Sequence, residues 1–104
     1  MNHQLIKIAI KRALNSFCRY RISALGFNRK GELISTSFNK PRFCRKGGGI
    51  HAEMELMKKH TKSLKSILIC RVNNRGKLMP IHPCQTCQDK ANDLGIRILT
   101  VSNF

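Results

Sequence analysis

Negative charge is scarce in this sequence: 5 Asp and Glu stand against 20 Lys and Arg, a formal net charge of +15 over 104 residues. Aromatic rings are scarce too, with no Trp, a single Tyr and 6% aromatics in all, so most of them are needed in a core rather than as stacking platforms. Long apolar runs are missing. The stretch Ile67 to Cys70 is typical, far short of the ~20 residues of a membrane-spanning helix. At the N-terminus Lys7, Lys11 and Arg12 lie inside the apolar pattern and no small-residue cleavage site follows, so it does not read as a secretory signal and a cytoplasmic location is expected. Cysteine is odd in number, at 18, 44, 70, 84 and 87, which argues against a disulfide framework.

What is present suffices for one core. Hydrophobic residues make up 41% and charged ones 24%, so a single packed domain over 1–104 is expected rather than a disordered tail. The charge calls for a polyanionic partner, and it leans to one side: residues 1–50 hold 11 of the 20 basic residues and one acid, Glu32.

Apolar residues Leu5, Ile6, Ala9, Ile10, Ala13, Leu14 and Phe17 recur at helical spacing, predicting an amphipathic helix over 2–17. Segments 21–27 and 32–38 read as strands of a hairpin joined by Asn28-Arg29-Lys30-Gly31. Pro41 and three glycines make 39–49 a basic loop. A second helix is expected over 51–60, and 66–72 reads as a strand covered on both faces, which Asn73-Asn74-Arg75-Gly76 breaks. Pro83 leads into a third helix that Gly95 closes, and 96–101 is the last strand. Helices between the later strands imply an α/β architecture with an at least partly parallel sheet under helices.

The chemistry lies in His51-Ala52-Glu53 and, downstream, Pro83-Cys84-Gln85-Thr86-Cys87. This H-x-E…P-C-x-x-C pattern is the signature of zinc deaminases. A histidine at one helix start and two sulfurs one turn apart at another can converge on one Zn2+, leaving a fourth position for water. Helix N-termini carry partial positive charge, which favours anionic sulfur there. Glu53 lies beside the metal without ligating it, the place for a group that takes a proton from water and hands it to the ring nitrogen of a base.

On these motifs the sequence resembles the cytidine deaminase-like superfamily, in its His/Cys/Cys branch of deoxycytidylate, polynucleotide cytidine and tRNA adenosine deaminases. The resemblance implies a minimal three-layer fold with a mixed sheet of about four strands flanked by helices. It also implies a substrate-binding Asn39 in Ser37-Phe38-Asn39-Lys40-Pro41, a main-chain contact from Ala52 to the exocyclic group of the base, and contacts to the base edge around Pro83. His82 stands where the superfamily often has a small, hydroxyl-bearing or acidic residue, and is a candidate for a substrate role. Phe43 is a candidate for stacking on a base. Nucleoside cytidine deaminases usually place Cys where this chain has His51, which argues against a free-nucleoside substrate.

The expectation is therefore a zinc-dependent hydrolytic deaminase that converts a cytosine-type base to uracil in single-stranded DNA or RNA, or in a phosphorylated nucleotide such as deoxycytidylate. Two alternatives stay open: a catalytically silent, zinc-stabilised nucleic-acid-binding module, and an adenosine deaminase acting on tRNA. Glu53 argues against the silent module, which has no need of a proton shuttle. No membrane partner is expected. The open apolar edge of the last strand predicts a homo-oligomer.

Overall fold

The computed structural model describes residues 3–16, 21–39, 51–82 and 84–100. The apolar run at 66–72 forms β3 (Ser66–Val72), the strand with the most neighbours. Along one edge it pairs antiparallel with the whole of β1 (Arg21–Phe27), from Arg21 opposite Val72 to Phe27 opposite Ser66. Its other edge is divided. β5 (Arg97–Thr100) runs parallel to residues 66–69, while β4 (Leu78–Met79) runs antiparallel to Arg71 and Val72. β2 (Leu33–Phe38) completes the sheet on the free side of β1. The mixed sheet of about four strands is present, with a fifth, the two-residue β4, formed where the segment after the 73–76 break returns along β3.

Alternation along β1 and β3 builds a core on each face. Leu25, Phe27, Leu68, Cys70 and Val72 pack with Ala9 and Ala13 of α1 (His3–Leu14). Ala24, Ile67 and Ile69 point the other way, to Leu56 and Met57 of α2 (Ala52–Lys59) and Cys87 and Ala91 of α3 (Gln85–Leu94). The expected three-layer arrangement results, with α1 below the sheet and α2 and α3 above it. Gly26 belongs to this close packing, since a Cβ there would lie 2.6 Å from Leu64 Cδ1.

Ala9 and Ala13 are fully buried, and the Ser23 hydroxyl donates to the Ala9 carbonyl at 2.6 Å. The helix ends at Leu14, earlier than its apolar pattern suggests. Asn15 and Ser16 donate to carbonyls three residues back, and the Ser16 hydroxyl donates to the Asn39 carbonyl at 2.9 Å. One turn design occurs twice. Asn28 Oδ1 accepts from the N–H groups of Lys30 and Glu32, and Asn73 Oδ1 accepts from those of Arg75 and Lys77. Each turn is completed by a glycine at φ 81°, Gly31 and Gly76, in the left-handed region that side chains disfavour. Among the described residues no helix is long and apolar enough to cross a membrane.

Candidate active site

Both sequence motifs sit at helix starts, and both starts lie at one end of the sheet. β2 ends at Phe38 opposite Ser23 near the beginning of β1, and β4 pairs with the last residues of β3. The chain leaves β2 toward α2 and leaves β4 toward α3, which brings His51 and Cys84 together.

His51 is the N-cap of α2, with extended backbone at φ −71°, ψ 136°, yet its side chain makes no capping bond. Imidazole is a poor cap compared with Ser, Thr, Asp or Asn. The ring is turned instead to sulfur: Nδ1 lies 3.1 Å from Cys84 Sγ and 3.1 Å from Cys87 Sγ. Cys84 is the N-cap of α3, and its sulfur accepts the Cys87 N–H at 3.3 Å. The C-x-x-C spacing therefore places one cysteine at the cap and the other a turn later, where helix geometry returns it to the same side.

The three donor atoms lie within 4.8 Å of one another. Tetrahedral zinc with its usual N and S bond lengths needs donors roughly 3.5–3.8 Å apart, which this cluster can meet by small movements. One imidazole and two sulfurs suit zinc, and three protein ligands leave one position for a reactant. Glu53 is not a member of the converging group.

Glu53 is only 5% exposed, in the first turn of α2. Desolvation pushes its carboxyl above the ordinary 4.5, against the opposing pull of its own backbone N–H and of His51. A carboxyl held this way can carry a proton nearer neutrality than a surface glutamate can. The Cys87 thiol is also pushed well up, first by burial, then by the Glu53 carboxylate and by Cys84. Burial between α2 and α3 beside a carboxylate thus opposes the pull of the helix start on Cys87. A divalent cation among the three donors reverses that balance.

The other sequence candidates are placed as follows. Ala52 is the first residue of α2, its side chain fully buried and its N–H among the helix-start donors without an intrahelical acceptor. Asn39 follows β2 and is 8% exposed; its Oδ1 accepts the Ile22 N–H at 2.9 Å, so part of its bonding capacity is spent on joining the strands. His82 is exposed on the segment leading to Cys84. Pro83 and Phe43 lie outside the described residues, as do Cys18 and Cys44. Cys70 is a buried core residue on the α1 side, as expected, its thiol pushed up to about 11 by burial. Met57 is buried and Met54 packs against the same core, also as read from the sequence. Sequence reasoning missed the capping role of Cys84, which its position just before a helix could have suggested. It also missed Arg12, whose guanidinium lies 5.0 Å from the centroid of the Phe38 ring beside Asn39.

No protein-family model and no curated protein matches the sequence. Solved structures do match. Cytidine deaminase from Mycobacterium leprae aligns at 20% identity over 96% of this chain and 88% of its own, with a TM-score of 0.67. Cytidine deaminase from Mycobacterium tuberculosis aligns at 17% identity over 98% and 85%, with a TM-score of 0.66. The dCMP deaminase of the cyanophage S-TIM5 aligns at 16% identity over 96% and 84%, with a TM-score of 0.64. The chain thus has the cytidine deaminase fold, with a His-Cys-Cys donor group and a buried glutamate where two helices begin at one end of the sheet.

Proposed function

We propose that the protein is a zinc-dependent deaminase that replaces the exocyclic amine of a cytosine-type base with oxygen, consuming water and releasing ammonia. The convergence of His51 Nδ1 and the sulfurs of Cys84 and Cys87 beside buried Glu53 is the observation that carries this reading. When bound by these three residues, zinc supplies a Lewis acid that makes water nucleophilic near neutral pH. Glu53 accepts a proton from the attacking water and delivers it to the ring N3, after which a further proton transfer through the same carboxylate lets the amine leave as ammonia. Its raised carboxyl suits both directions of transfer. The N–H groups at the start of α2 offer donors to the base, with Ala52 the first of them.

The preferred substrate is anionic. The +15 charge supports a phosphorylated nucleotide or a single-stranded polynucleotide over a free nucleoside, since it raises the local concentration of anions. The structural neighbours include deaminases of both a nucleoside and a nucleotide, at TM-scores of 0.67 and 0.64, too close to separate the two. Mass-spectrometric assay of zinc-loaded protein against cytidine, deoxycytidylate, single-stranded DNA, single-stranded RNA and adenosine-containing RNA separates the classes. A gain of about one mass unit on a cytosine-containing anion is expected. No turnover of any substrate by fully loaded protein would leave a zinc-stabilised binding module.

A further inference from the structure

A second site lies at the far end of α2. The Asn28–Glu32 turn and the segment after α2 border an open cleft of about 310 Å³ lined by Arg29, Lys30, Lys62 and Lys65, with Glu32 as its one acid. α2 separates it from the candidate metal donors: His51 caps one end of this 8-residue helix and His60 the other, about 13.5 Å apart along the axis.

Three observations make the cleft more than a solvated surface. Glu32 is already engaged, its Oε1 accepting from Asn28 Nδ2 at 3.0 Å. Among the described residues none of the four cations has an ion-pair partner, although Lys59 on the last turn of α2 pairs with Glu55. The walls are also fixed by backbone bonds. Asn28 holds its turn closed, and Lys65 is clamped by its N–H donating to Phe27 at 2.8 Å and its carbonyl accepting from Arg97 at 3.1 Å. Among the described residues, four cations without an ion-pair partner thus line the two walls of an open cleft.

We propose that this cleft binds the phosphodiester backbone of a single-stranded polynucleotide, apart from the metal centre. The cations favour phosphate oxygens as ligands. The cleft has no apolar or aromatic floor among its lining residues to hold a base, so it is suited to backbone and not to sequence. Four cations from two segments can meet more than one phosphate at a time, which favours a polymer over a mononucleotide. Binding here stands independently of turnover at the metal centre.

The test is fluorescence anisotropy with labelled oligo-dT of about 15 nucleotides, which contains no cytosine, titrated at several salt concentrations. Each phosphate contact on a single strand contributes about 0.7 to the slope of log affinity against log salt, or about fivefold between 1 M and 0.1 M salt. Lys62→Ala/Lys65→Ala is expected to flatten the slope by about 1.4 and to weaken binding roughly 25-fold at 0.1 M salt, with Arg29→Ala/Lys30→Ala similar. Lys7→Ala/Lys11→Ala removes the same charge from the exposed face of α1 and is expected to weaken binding less than about threefold. Lys62→Arg/Lys65→Arg keeps the slope. Equal loss in the α1 and cleft pairs would assign the attraction to net charge and overturn the proposal, as would loss in the Arg variant. Displacement of the oligonucleotide by inorganic phosphate at constant ionic strength would make the cleft a free-phosphate site and overturn the polymer assignment.

Discussion

The Glu53 carboxylate, after burial, pushes the thiol of neighbouring Cys87 up. Metal uptake must therefore expel at least one proton, so apparent zinc affinity should rise about tenfold or more per pH unit between about pH 6 and 8. Chelator competition across this range measures it. A flat profile would mean that Cys87 is not a ligand. Cys84→Ser and Cys87→Ser should each lower bound zinc sharply in elemental analysis.

Buried Glu53 opposes stability. Its folded carboxyl titrates above the ordinary 4.5, so the folded state binds more protons than the unfolded one. Its penalty is therefore absent below about pH 4.5 and grows as pH rises through the folded value. In metal-stripped protein Glu53→Gln should melt at a higher temperature than the parent at pH 7, with the gap closing near pH 4. Equal melting temperatures at pH 7 would contradict the burial argument.

On the proposed reading the same residue governs turnover. Glu53→Ala should reduce deamination about 10²–10⁴-fold or more, the range general acid–base groups supply. Bound zinc should stay near one per chain. Activity retained in this variant would move proton transfer to another group.

Two serines in the sheet predict opposite outcomes. Ser23 Oγ donates to the Ala9 carbonyl at 2.6 Å, whereas Ser37 Oγ, buried opposite Ala24, has no partner among the described residues. Ser23→Ala should cost about 0.5–1.5 kcal/mol and Ser37→Ala should be neutral or stabilising. Urea unfolding of both variants decides it, and a comparable loss in each would show that Ser37 is satisfied.

The strands at 21–27 and 66–72 were legible because β-branched and apolar residues fill both faces of a central strand, and Gly95 marked the end of α3 with its αL cap at φ 70°. β4 was not, since two residues carry no periodicity. Its signal lay in the turn before it: Asn73-x-x-Gly76 repeats the Asn28-x-x-Gly31 spacing that had indicated a hairpin. The convergence of His51, Cys84 and Cys87 was legible because such spacing is local to a helix start. The upward push on the Cys87 thiol was not, because it depends on how α2 and α3 pack. The basic cleft was hidden for a similar reason: its cations come from segments some thirty residues apart, and only the clamp of Lys65 onto Phe27 brings them together.

The divided edge of β3 makes chain length a determinant of chemistry. β4 is anchored to Arg71 and Val72, and Cys84 must reach the start of α3 from Met79 across the place where the antiparallel partner gives way to the parallel one. One added residue lengthens that reach by up to about 3.5 Å. Cys84 Sγ stands 3.1 Å from His51 Nδ1, so an insertion of that size could carry the sulfur out of register with the imidazole. The hairpin tip at 29–30 has no such constraint from the metal donors. Between Met79 and Cys84, insertions and deletions are therefore the changes that the donor geometry should reject most strongly.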